Sequence, residues 1–217
     1  MRIALIHALQ HSIQPIEQAF ARLWPEAELA NLLDDTLSTD LARDGALSPA
    51  MTDRFLTLAH YAASCGADGI LFSCSAFGPC IDACALALAP MPVLKPNEAM
   101  IEEAVAIAEP AGRIGLLATF APTLATMPAE FTNAAPGVTL VSVLAAEALA
   151  ALNRGDAAAH DRLACEAARP LEGCDVLALA QFSLSSAASQ VAAATGSTVL
   201  TTPDSAVRKL QRLLLPS

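Results

Sequence analysis

The sequence predicts an α/β protein of two similar lobes, each a parallel sheet covered on both faces by helices. Short apolar runs alternate with segments of helical period, and the runs lack the polar alternation of a half-exposed strand. The whole pattern then restarts near Gly112. Alternation of strands and helices is the signature of parallel sheets.

In the first half, "RIALIHAL" reads as a buried strand. A helix runs from Ile13 to Leu23, with Pro15 near its start, where a missing amide costs least. "AELANLLDD" holds a second strand, and "MTDRFLTLAHYAASCGAD" is a helix stopped around Gly66. "GILF" is a third strand, "SCSAFGP" a turn, "CIDACALALA" a helix and "PVLK" a short strand. Asn97 or Glu98 opens the helix "EAMIEEAVAIAE".

After Pro110 the order repeats. "GRIGLLAT" is a strand, "FAPTLATMPAEF" a turn and helix, and "GVTLVSV" a strand. Helices follow around Ala145 to Leu152 and from Asp156 to Ala168. "CDVLALA" is a strand, "QFSLSS" a turn, "AASQVAAAT" a helix, "STVL" a strand and "DSAVRKLQRLLL" the closing helix. Laid together without a gap, "GADGILFSCSAFG" and "GCDVLALAQFSLS" put Asp68 on Asp175 and Cys74 on Gln181. "RIALIHAL" falls on "RIGLLATF", setting His7 opposite Ala118 with Thr119 one step beyond. Lobe one is then 1–95 with 204–217, carrying Cys74, and lobe two is 96–203, carrying Gln181. Ligands of open α/β sheets bind beyond the carboxyl ends of the strands, so the loops after these inner strands are expected to line one cleft.

Composition excludes several classes. The 217 residues are 54% hydrophobic and 16% charged, enough apolar material for a sizeable core and too much for disorder. The net charge of −10 comes without a basic cluster, which argues against nucleic acid as partner. No apolar run is long enough to span a bilayer or to act as a signal peptide, so a cytoplasmic protein with no membrane partner is expected. The six cysteines read as thiols, and Cys80-x3-Cys84 has no nearby histidine to complete a zinc site, so no metal is expected. GxGxxG, GxxxxGK[ST] and GxSxG are absent from the sequence.

The chemistry therefore concentrates at strand ends. Cys74 precedes a helix whose free amides favour an anion, a thiolate included, and Ser75 and Ala76 keep that turn small enough for close approach. Cys65 and Cys174 sit before strands, at the wrong end, while Cys80, Cys84 and Cys165 recur at packing positions. Thr119 and Thr123 flank "ATFAPTL", where hydroxyl caps at a helix start make a carboxylate or phosphate seat, or simply cap the helix. His7 and His11 follow the first strand and can touch a ligand or act as a base near neutral pH, although such histidines are more often structural. Phe77, Phe120 and Phe182 hint at an apolar ligand or serve as packing residues.

These features together resemble the aspartate/glutamate/hydantoin racemase superfamily. "FSCSAFG", "RIGLLATFAPTL" and "LALAQFSL" carry the resemblance, in order, over nearly the whole chain. It implies two Rossmann-like lobes of four-stranded parallel sheets, pseudo-twofold related, working without cofactor or metal on a small-molecule carboxylate. A homodimer is ordinary for such a family. Its racemases use one cysteine from each lobe on opposite faces of an acidic α-carbon. Cys74 matches the first. Ser75 and Ala76 match the turn that holds the substrate carboxylate, Thr119 with Phe120 and Thr123 match the seat in lobe two, and His7 matches a polar pocket position. The second cysteine is replaced by Gln181, whose amide is neither base nor useful acid, with Phe182 and Ser183 beside it. The expectation is a cofactor-independent racemase or isomerase-type enzyme using Cys74, with Gln181 as a hydrogen-bonding partner. A single-cysteine lyase or decarboxylase, and a ligand-binding protein without turnover, stand as alternatives.

Overall fold

The computed structural model describes residues 1–108 and 110–215. The expected last residue of the helix after Asn97, Glu109, and the last two residues assigned to lobe one lie outside them. The chain divides into two compact units, Met1–Glu98 with Ala206–Ser217, and Ala99–Ser205.

Unit one alternates β1 (Arg2–His7), α1 (Ile13–Leu23), β2 (Glu28–Leu33), α2 (Leu37–Asp44), α3 (Pro49–Ser64), β3 (Gly69–Phe72), α4 (Gly78–Ala87) and β4 (Val93–Leu94). Helix α5 (Glu98–Ala108) leads on to unit two. There the order is β5 (Arg113–Ala118), α6 (Ala121–Ala134), β6 (Thr139–Leu144), α7 (Ala146–Asn153), α8 (Ala157–Ala168), β7 (Val176–Leu179), α9 (Ala188–Thr195) and β8 (Thr198–Thr201). Helix α10 (Thr202–Leu214) starts in unit two and ends in unit one. Each unit holds a four-stranded, all-parallel sheet, ordered β2-β1-β3-β4 and β6-β5-β7-β8. The α/β class expected from alternating apolar runs is what forms.

The repeat is physical and extends to single hydrogen bonds. The central strands β3 and β7 are buried at every residue, as unbroken apolar runs require. The edge strands β2 and β6 share one pattern of partial exposure. Asp68 Oδ2 accepts the Arg2 amide at 2.7 Å, and Asp175 Oδ2 accepts the Arg113 amide at 2.7 Å. Each carboxylate satisfies a strand's first amide, which has no neighbour to pair with. At the other end the Ser73 amide reaches Ile6 O at 3.0 Å, and the Ala180 amide reaches Leu117 O at 2.9 Å. Because the two aspartates do the same work, Asp68→Ala and Asp175→Ala are each expected to lower unfolding free energy by about 1 kcal/mol. Urea midpoints measure this, and a clearly unequal pair would contradict the shared role.

Local signals explain most helix boundaries. Ser48 caps α3 by accepting the Met51 amide, with Pro49 in the first turn. Asp156 caps α8 through the Ala159 amide. Helix α2 is an addition to the elements read from sequence. It packs Leu37 wholly inside and is stopped by Gly45, whose φ of 73° suits the left-handed C-terminal position.

Candidate active site

Cys74 stands two residues beyond β3 and opens a single 3₁₀ turn, Ser75–Phe77, which runs directly into α4. The turn is fixed from behind by Phe77. That ring is fully buried and lies 4.9 Å from the ring of Phe55 on α3, which stacks in turn on Phe72 at 5.2 Å. In unit two Leu184 occupies the position equivalent to Phe77 and is likewise fully buried. A buried anchor three residues past the key position therefore recurs, and Ser75 and Ala76 are left half-buried in front of it. Phe77 and Phe182 are both packing residues, and of the three phenylalanines Phe120 alone is exposed.

The Cys74 side chain is half-buried, and its inner side is closed by Ile6, His7, Leu37, Phe55 and Phe72, with no space for a water molecule. Burial pushes the thiol pKa up, opposed by the Ala76 amide, which donates to the sulfur. The resting side chain at neutral pH is therefore a thiol, a proton donor, and the amide is in place to receive the negative charge once that proton leaves. Cys80 and Cys84 are buried within α4, and burial with the neighbouring Cys80 pushes Cys84 up to about 11. Cys65 and Cys174 sit at the amino ends of β3 and β7, away from the strand ends where Cys74 lies.

His7 is fully buried at the end of β1, beside the hollow under Cys74. Its Nε2 lies 3.0 Å from Asn31 Oδ1 and its Nδ1 2.9 Å from Ser73 Oγ. Burial lowers its pKa, and the Asn31 bond offsets part of that. A neutral ring facing an amide oxygen donates from Nε2 and accepts the Ser73 hydroxyl at Nδ1. Asn31 Nδ2 donates to Glu17 Oε1 at 2.7 Å, so a relay runs Ser73–His7–Asn31–Glu17. His7 thus positions the residue before Cys74. His11 is exposed, in the 3₁₀ turn Gln10–Ser12. Ser73, Asn31 and Glu17 were not singled out from sequence. They come from three separate elements, and no local spacing joins them.

In unit two the structure brings Gln181, Thr119 and Thr123 together. Gln181 Oε1 accepts the Thr119 amide at 2.7 Å and the Thr119 hydroxyl at 3.3 Å. Its Nε2 donates to Thr123 Oγ1 at 2.8 Å. Both ends of the carboxamide are engaged. The threonine hydroxyls face this amide, and the cap of α6 is Phe120, which makes no side-chain bond. In place of the capping role read for Thr119 and Thr123, their hydroxyls pair with the glutamine amide. A second histidine stabilises the turn after β7. His160 on α8 is buried, with Nδ1 2.9 Å from Ala148 O and Nε2 3.2 Å from Ser183 O. It ties α7, α8 and the half-buried Ser183 to one another.

A thiol at a strand end, amides ahead of it and two repeated parallel sheets define a racemase-like architecture. The family model for Asp/Glu/hydantoin racemase matches residues 11–210, and the chain belongs to that family. Similar solved structures include glutamate racemase from Francisella tularensis in complex with D-glutamate, at 15% identity and TM-score 0.72, covering 98% of this chain and 80% of that one. An aspartate racemase homologue from Pyrococcus horikoshii covers 99% of both chains at 16% identity and TM-score 0.73. Allantoin racemase from Klebsiella pneumoniae covers 98% of this chain and 87% of its own at 18% identity and TM-score 0.65. No curated protein matches significantly by sequence. Among the described residues no helix is long and apolar enough to cross a membrane.

Proposed function

We propose that the protein is a cofactor-independent enzyme that moves a proton at the carbon beside a small carboxylate, with Cys74 as the catalytic residue. The observation that carries this is the Cys74 sulfur, at the carboxyl end of an inner strand, accepting the Ala76 amide in a chain of the racemase family. Amides of the Ser75–Phe77 turn stabilise enolate-like charge on the substrate carboxylate, and Thr119 with Gln181 forms the polar support in unit two.

Two features favour a lyase or decarboxylase over a racemase. Racemisation needs a base on one face and an acid on the other. Gln181 is the repeat equivalent of Cys74, and its amide is occupied at both ends. The Cys74 thiol, held protonated by burial, suits a reaction that needs one proton delivered. Loss of carbon dioxide from a substituted malonate leaves an enediolate. The α-carbon takes the Cys74 proton, and the thiolate recovers its proton from water.

The test is incubation in deuterated water with amino acids, hydantoins and substituted malonates, followed by mass spectrometry. Carbon dioxide release with one deuterium at the α-carbon is the expected result. Deuterium entry with inversion and no carbon dioxide would establish the racemase instead. Ligand-induced thermal stabilisation with no exchange would leave only a binding protein.

A further inference from the structure

The charge on His7 is governed from outside the hollow that it shares with Cys74. His7 is fully buried and lines that hollow, whose apolar walls include Leu37, Phe55 and Phe72. The bond to Ser73 does not fix the charge. Ser73 Oγ can donate to a neutral ring or accept from a protonated one at the same 2.9 Å. The group in contact with Nε2 therefore decides. A carboxylate only accepts, so Glu17 Oε1 takes Asn31 Nδ2 at 2.7 Å and turns the amide oxygen toward His7 Nε2, 3.0 Å away. That oxygen fixes a proton on Nε2 but brings no negative charge to hold a second proton on Nδ1.

The other groups around the ring leave this balance alone. Glu17, on α1, is separated from His7 by the Asn31 amide. Asp34, whose backbone amide donates to His7 O at 3.0 Å, is bound by Arg54 at 2.5 Å. Helices α2 and α3 face the hollow with Leu37 and Phe55. All of these groups belong to unit one.

We infer that Asn31 is a positioning residue that keeps His7 uncharged, and thereby keeps Cys74 a proton-bearing thiol at neutral pH. An imidazolium beside the same hollow would favour the thiolate and remove the proton that the reaction delivers. Asn31 is exposed on the edge strand β2 and Glu17 is half-buried, so both can be exchanged without opening the core.

A charge swap in the full-length protein tests this. Asn31→Asp combined with Glu17→Gln leaves the net charge unchanged and moves the carboxylate from the second neighbour of His7 to the first. At pH 7 the swap is expected to speed iodoacetamide alkylation of Cys74 about tenfold, the change that a neighbouring positive charge brings to a thiol. Nitrogen-15 histidine NMR should show a neutral, Nε2-protonated His7 in the wild type and an imidazolium in the swap. Adding His7→Gln to the swap should return alkylation to within about twofold of wild type, because the cation is gone. Alkylation unmoved by the swap, a wild-type His7 already charged at pH 7, or acceleration that persists with His7→Gln would overturn the inference. The consequence for turnover rests on the proton-transfer reading, under which turnover at pH 7 falls as alkylation rises. Faster alkylation with turnover unchanged would sustain the role of Asn31 and remove thiol donation.

Discussion

Cys74→Ser is expected to cut turnover by about a thousandfold or more, the range lost when a positioned acid or base is removed. Serine is nearly isosteric and keeps an oxygen within reach of the Ala76 amide, so the turn should hold. Phe77 anchors that turn independently of the sulfur, through its packing on Phe55. The hydroxyl is a far weaker acid than the thiol, so it cannot deliver the proton at a useful rate. Circular dichroism and urea midpoints close to wild type, with activity gone, are the expected pair of observations. A variant that retains more than about a tenth of wild-type turnover would place the proton elsewhere.

The second large effect is expected at Gln181. Gln181→Ala removes three hydrogen bonds and leaves the Thr119 amide and two hydroxyls without their partner. Thr119 and Thr123 are almost fully buried, so water replaces the amide poorly. A loss of about 2–3 kcal/mol follows from typical costs of unsatisfied buried groups. Gln181→Glu should lose less, because its oxygens accept from the Thr119 amide and from the Thr123 hydroxyl, which can rotate to donate. Gln181→Cys has a different expected outcome. It sets a thiol at the repeat position of Cys74, with the Ser183 amide equivalent to that of Ala76, and should introduce α-hydrogen exchange with inversion. Urea midpoints check the first two variants, and chiral chromatography checks the third.

Much of the fold was legible because buried parallel strands leave unbroken apolar runs. "GILF" and "VLAL" are such runs, and both are wholly buried. The pairing of Asp68 with Asp175 was also visible, since identical strand-start chemistry leaves the same residue in both halves. Helix α2 was not legible in the sequence because its first turn carries the polar Ser38, Thr39 and Asp40. Its apolar face is essentially Leu37 and Leu41. At the site, the sequence marked Cys74 and Gln181 by their position after strands. It could not reveal that Gln181 binds Thr119 and Thr123, which lie about sixty residues away on another element. Nor could it distinguish Phe77 and Phe182, turned into the core, from Phe120, turned out. Burial of a side chain next to a turn depends on which way the chain enters the following helix, and that is a tertiary property.

Cys74 as the proton carrier is tested most directly by two pH profiles on the same protein. One is the rate of iodoacetamide alkylation at Cys74, read by peptide mass spectrometry, and the other is turnover. Because burial raises the thiol pKa, alkylation should climb only at alkaline pH, beyond the range of an unstructured cysteine. Turnover through thiol donation should stay level across neutral pH and fall over the same alkaline interval in which alkylation rises. Full alkylation of Cys74 with turnover intact, or a thiol already ionised below neutral pH, would contradict the account.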